Sequence, residues 1–187
     1  MKRLVAVIRT TIIVLLFVGQ AALPATTRQT GKGATPAANP LKEYGDAVIG
    51  RWLADVTWAT DYPGVGKKGE KVSGYSVYRW TADGMGIEEE FVAGKVSGRS
   101  LAVWDAGAKQ IRMFGVNSGG NYSQGTISKQ GAKFVGAEAG SLSDGRKVEY
   151  KWEITFEDGG NTLISAGATI INGVSNPYRD VFRRVSK

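Results

Sequence analysis

The 187-residue chain contains no cysteine and no histidine, and only five prolines. Without cysteine there is no disulfide and no thiolate chemistry, so an exported form of this chain has to rest on its hydrophobic core. Without histidine, Ser-His-Asp and Cys-His catalysis are excluded, together with histidine-ligated zinc and haem. The acidic residues show no D-x-[DN]-x-[DN]-G spacing, and SDG and EDGG read as ordinary turns. The sequence therefore predicts no metal and no cofactor. Missing too is an apolar run long enough for a membrane span. The uncharged stretch from Thr10 to Gly19 is about half of the ~20 residues a spanning helix needs.

What that stretch does have is the order of a secretory leader. MKRLVAVIRTTIIVLLFVGQAALPA carries Lys2, Arg3 and Arg9, then the apolar run, then small residues that permit cleavage after Ala21 or Ala25. Residues 1–25 are expected to be a signal peptide that sends the protein to the periplasm or outside the cell; an uncleaved anchor is the rival reading. Residues 26–40, TTRQTGKGATPAANP, hold no Leu, Ile, Val or aromatic residue and cannot bury apolar area, which predicts a disordered tether. Five of the 24 Lys and Arg residues, and none of the 17 Asp and Glu, fall within residues 1–40. The rest of the chain is nearly balanced, so the overall charge of +7 does not mark a nucleic-acid-binding surface.

From Leu41 to Lys187 one folded domain is expected. Asn39-Pro40 forms a helix start, and LKEYGDAV places Leu41, Tyr44 and Val48 on one helical face. Beyond Val48 there is no helical period. β-Branched and aromatic runs alternate instead with turns at 61–69, 82–84, 93–98, 105–109, 117–121, 129–131, 143–146, 157–161 and 171–177, most of them Gly or Asn/Asp-Gly. These breaks delimit about ten strands, with no gap that holds a crossover helix. The economical arrangement is an all-β, antiparallel, up-and-down barrel that removes its own edges by closing. KVEYKWEITFE shows the faces: Val148, Tyr150, Trp152, Ile154 and Phe156 alternate with charged residues. In VIGRWLADVTW, the same rule puts Gly50, Trp52, Ala54, Val56 and Trp58 on one inner face.

GRWLADV after a short helix, WTADG at the second turn, VWDAGAKQIRMFGVNSGG in mid-chain and a closing VFRRV resemble a large bacterial family of unknown function. Its members share a G-x-W start, an aspartate-glycine second hairpin and a final aromatic-x-Arg strand. The resemblance covers about Leu41 to Val185 and implies a lipocalin-like, calycin-type barrel. The chain departs from the family in having a leader and no histidine. In calycins the first-strand Trp packs near an Arg of the last strand, which by resemblance pairs Trp52 with Arg184, or failing that Arg183, to close the barrel base. A Trp face attracts a guanidinium in any case.

The candidate ligand-lining residues are Trp58, Tyr78, Trp80, Glu89, Tyr150 and Trp152. In IEEEF, Glu89 shares a face with Ile87 and Phe91 and is expected to point inward, where a carboxylate must be paired, hydrated or shifted upward in pKa. That makes Glu89 the one weak catalytic candidate; the bland alternative is a solvated face with a bulge. NSGGNYSQG could cradle an anion through its N–H groups, but it lacks a lysine or a following helix and, as a wide hairpin at a barrel rim, needs no ligand. Three functions follow. The first is an exported barrel binding a small apolar or aromatic ligand, with small inward residues (Gly50, Ala54, Ala166, Ala168) leaving the room. The second is a structural envelope domain with a packed bore. The third is a metal- and histidine-independent lyase or isomerase using Glu89, Tyr78 and an Arg such as Arg112. It is reminiscent of phenolic acid decarboxylases at fold level only.

Overall fold

The structure is a computed structural model that describes residues 39–187. The expected signal peptide and all but the end of the tether lie outside the described residues. One short helix, α1 (Pro40–Val48), is followed by ten strands: β1 (Gly50–Thr57), β2 (Lys71–Trp80), β3 (Gly86–Ala93), β4 (Val96–Asp105), β5 (Gln110–Asn117), β6 (Tyr122–Gln130), β7 (Lys133–Ser141), β8 (Lys147–Glu157), β9 (Thr162–Ile171) and β10 (Val174–Ser186). Each strand pairs antiparallel with its neighbour in sequence, and β1 pairs with β10 to close the barrel. This is the all-β, ten-stranded, closed architecture with a preceding helix that the turn spacing predicts.

Helix α1 stoppers one end. The Asn39 side chain accepts the Leu41 N–H at 3.0 Å, and Pro40 sits at the first helical position, where no N–H is needed. Leu41, Tyr44 and Val48 are buried against Ile87, Ala102, Ile111 and Phe134 from the adjoining strand ends. The Tyr44 ring meets Phe134 edge-on at 5.2 Å between centroids, the geometry that the aromatic quadrupole favours.

Gly45 lies so close to Trp80 that a methyl group there would run into the indole ring. Gly45→Ala should therefore lower stability by about 1–2 kcal/mol, because overpacking outweighs the ~1 kcal/mol helix-propensity gain. A thermal melt checks this, and a stabilised variant would show that the ring can move aside.

The base is locked where the chain ends meet. Trp52, with 0% of its surface exposed, donates its indole N–H to the Val48 carbonyl at 2.8 Å. The Arg184 guanidinium lies over the Trp52 ring at 4.0 Å. It also donates to the carbonyls of Ala47 at 2.7 Å, Gly160 at 3.1 Å, and Ile49. Two of these carbonyls lie at the C-terminal end of α1, where a helix has unsatisfied acceptors and a partial negative charge. Arg183 points the other way, to Asp55 at 2.6 Å on the outer surface. Of the two arginines, Arg184 is the one at Trp52.

Two expectations are corrected. The last turn is shorter than residues 171–177: β10 begins at Val174 and runs through Pro177. Proline is tolerated there because the pairing of β10 with β1 covers only Val181 to Ser186, so its missing N–H breaks no bond on that side. Ala166 and Ala168 face outward. Their strand neighbours Gly167 and Thr169 pair with the inward Trp152 and Tyr150, and cross-strand partners share a face.

Candidate functional site

The bore above the helical stopper is not filled. A cavity of about 290 Å³ runs from the layer of Tyr44, Ile87 and Ile127 to the rim at Asn117, Asn121 and Tyr122. Its wall is aromatic, with Tyr78, Tyr150, Trp152 and Tyr178 added to Tyr44. It also holds two carboxylates, Glu89 on β3 and Glu138 on β7.

Glu89 arrives there by strand alternation. It pairs with Tyr78 on β2 and Ser100 on β4, while Glu88 and Glu90 point outward to Arg79. Its carboxyl accepts the Ser76 hydroxyl at 3.1 Å and the Ser100 hydroxyl at 2.9 Å. Burial raises its pKa, only partly offset by the hydroxyls of Tyr78, Ser100 and Ser76, and the charge of Glu138 pushes it up further.

Glu138 pairs with Tyr150 across β8 and accepts the Trp152 indole N–H at 2.6 Å and the Ser123 hydroxyl at 2.7 Å. Gly136 makes this contact possible: the Trp152 ring lies directly over it, in space that a methyl group would occupy. The tyrosines stay neutral. Burial drives the hydroxyl pKa of Tyr44, Tyr78, Tyr150 and Tyr178 above the ordinary phenol value, with the charges of Glu89 or Glu138 adding to the rise.

Of the sequence candidates, Tyr78, Glu89, Tyr150 and Trp152 line this one cavity. Trp58 and Trp80 do not. Trp58 falls one residue past the end of β1, where its ring packs on Gly66 and meets Tyr62 edge-on at 5.5 Å. Trp80 is at the inner end of β2 but is taken up by the helix contact at Gly45. Among the described residues, no arginine joins Glu89 and Tyr78. Arg112 is turned outward to Asp105 at 3.1 Å and Arg79 to Glu88 and Glu90. The 117–121 turn is no anion cradle, because the Asn117 side chain itself accepts the N–H groups of Gly119 and Asn121.

The sequence reading missed Glu138, Tyr44 and Tyr178. In KFVGAEAGS the apolar Val135, Ala137 and Ala139 alternate opposite to Glu138 and suggest the wrong face. Phe134, buried and two turns of the pleat away, is the residue that sets the true phase.

Loop 58–70 folds over one side of the mouth. The Tyr62 and Thr169 hydroxyls share a hydrogen bond at 3.0 Å, the Lys68 ammonium donates to Asn176 at 3.0 Å, and Arg146 donates to the Asp61 carbonyl at 3.3 Å.

Compared with known proteins, the chain matches no family model and no curated protein. Among the described residues, no three acidic side chains come together as metal ligands. No Lys or Arg among the described residues lines the cavity.

Proposed function

We propose that the protein is an exported binding barrel whose bore takes a compact aromatic ligand, and that its kinship is with the calycins. The observation that carries the ligand reading is the cavity of about 290 Å³ walled by Tyr44, Tyr78, Tyr150, Tyr178 and Trp152. A volume near the lower edge of the roughly 300–1,000 Å³ range of small-molecule pockets, and about twice the ~150 Å³ that admits benzene, suits one substituted ring and a short chain. It favours such a ligand over a long-chain fatty acid or a tetrapyrrole. The calycin kinship is supported by the up-and-down meander and by the Trp52–Arg184 stack at the base. The leader at residues 1–25 supports export. A packed structural barrel fits the open bore less well, and an enzyme using Glu89, Tyr78 and an arginine lacks the arginine.

The test is a melting-temperature screen with one-ring aromatics, fatty acids and tetrapyrroles, read alongside tryptophan fluorescence, because Trp152 stands in the cavity wall. A one-ring ligand at about 100 times its Kd contributes roughly 2.7 kcal/mol, a rise of about 5–10 °C for a domain of this size. Ala102→Phe, which fills the bore, should abolish the shift. Absence of a shift with every one-ring compound would overturn the reading.

A further inference from the structure

The chemistry of the bore narrows the ligand class, and this step rests on the binding-barrel reading above. Glu89 and Glu138 line one cavity, and among the described residues no basic side chain joins its wall. Three cationic groups at the barrel ends are engaged elsewhere: Arg184 on Trp52 and the helix carbonyls, Lys129 on Glu43, and Lys68 on Asn176. Burying an acid without a cation is costly, and neutral donors offset only part of that cost. Glu89 has the hydroxyls of Ser76, Ser100 and Tyr78 beside it, and Glu138 has the Ser123 hydroxyl and the Trp152 indole N–H. That leaves about one lone-pair site open on the first carboxyl and about two on the second.

A second feature points the same way. Tyr44 is 5% exposed and lines the floor of the cavity. It is held by its ring against Phe134, yet its hydroxyl makes no hydrogen bond with another described residue. No buried side-chain oxygen or nitrogen of the described residues is left without a partner, so this oxygen opens on the cavity and is free to accept from something in the bore. The wall is built of Tyr and Trp rings, and the negative face of such a ring attracts an ammonium group. An anion would meet two acids and no counter-charge. A metal ion would find too few ligands.

We propose that the bore binds a small aromatic amine in its protonated form, with the nitrogen donating to Glu89, Glu138 and the Tyr44 hydroxyl oxygen and the ring stacked among Tyr78, Tyr150 and Trp152. The upward pull on the Glu89 carboxyl in the unliganded barrel fits a site that lacks its cation, since a nearby positive charge would reverse part of it.

Calorimetry at pH 7 with three matched probes tests this: 2-phenylethylamine, 2-phenylethanol and phenylacetate. The amine should bind at least tenfold more tightly than the alcohol, and phenylacetate should not bind. Glu138→Gln and Glu89→Gln should each weaken the amine roughly tenfold or more, the scale of a lost charged hydrogen bond, and leave the alcohol unchanged. Tyr44→Phe should weaken the amine about threefold to tenfold and keep the fold, as its ring is retained. Equal binding of amine and alcohol, or tighter binding of phenylacetate, would overturn the cation while leaving an aromatic-binding bore. Failure of all three probes to bind would overturn the binding barrel itself.

Discussion

Trp52→Ala should destabilise the barrel by about 4 kcal/mol, the usual scale for deleting a fully buried tryptophan. For a domain of this size that is a fall of roughly 8–16 °C in melting temperature. Three losses coincide at this position. The largest apolar side chain of the base disappears from a site with 0% exposure. The Val48 carbonyl loses its indole donor, and the Arg184 guanidinium loses the ring it lies on. Graded variants separate the contributions. Trp52→Phe keeps most of the buried area and removes the N–H, so it should cost about 1–2 kcal/mol. Arg184→Lys cannot reproduce a planar fork that reaches three carbonyls and should cost about 2 kcal/mol. Urea titration at two or more wavelengths gives these differences directly. A loss below about 1 kcal/mol for Trp52→Ala would mean that the base is held by the helix alone.

Asp180→Asn should stabilise the protein at pH 8 and do nothing for it at pH 4. Asp180 lies on the bore face of β10 opposite Ser165, where burial raises its carboxyl from 3.8 to about 6 despite the Thr57 N–H that it accepts at 3.0 Å. The titratable groups facing it are the phenols of Tyr62 and Tyr178, which are neutral and supply no counter-charge. Between pH 3.8 and about 6 the folded protein holds a proton that the unfolded chain has released. Stability from this group is therefore greatest below that window, falls as the pH rises through it, and is fully lost above about 6. A shift of about two units at ~1.36 kcal/mol each sets an upper bound of about 3 kcal/mol. Asparagine keeps an oxygen for Thr57 and removes the charge, so the variant-minus-wild-type difference should grow from zero at pH 4 to that bound at pH 8. A difference that does not change with pH would show that the carboxyl is solvated.

How much of this was legible in the sequence varies strand by strand. KVEYKWEITFE alternates without a fault, and every inward residue of β8 is the one its pattern indicates. The IEEEF run was also readable, because Ile87 and Phe91 fix the phase of Glu89 between them. TLISAGATII was not. Small and apolar residues occupy both of its faces, so Ala166 and Ala168 looked as suited to the bore as Gly167 and Thr169. Glu138 was hidden for the same reason in reverse, with small apolar residues on the outward positions beside it. The helix face of Leu41, Tyr44 and Val48 was plain in the spacing. Its destination was not, because nothing local says that a helix will stopper a barrel and turn a tyrosine hydroxyl toward the interior. Trp58 shows the limit of extrapolating an alternation: the strand ends one residue too soon.

The way the ring closes has a kinetic consequence. Nine of the ten strand pairings join segments adjacent in the chain, and only the tenth, between β1 and β10, brings Arg51 to Ser186. Pairings between adjacent segments form early because they close short loops, whereas this one carries the loop-closure entropy of the whole sheet. Contacts made only after the rate-limiting step govern how fast a protein comes apart rather than how fast it forms. The seam at Trp52 and Arg184 is therefore the latch that sets the lifetime of the folded state, and its lesions should shorten that lifetime while leaving refolding nearly as fast as before.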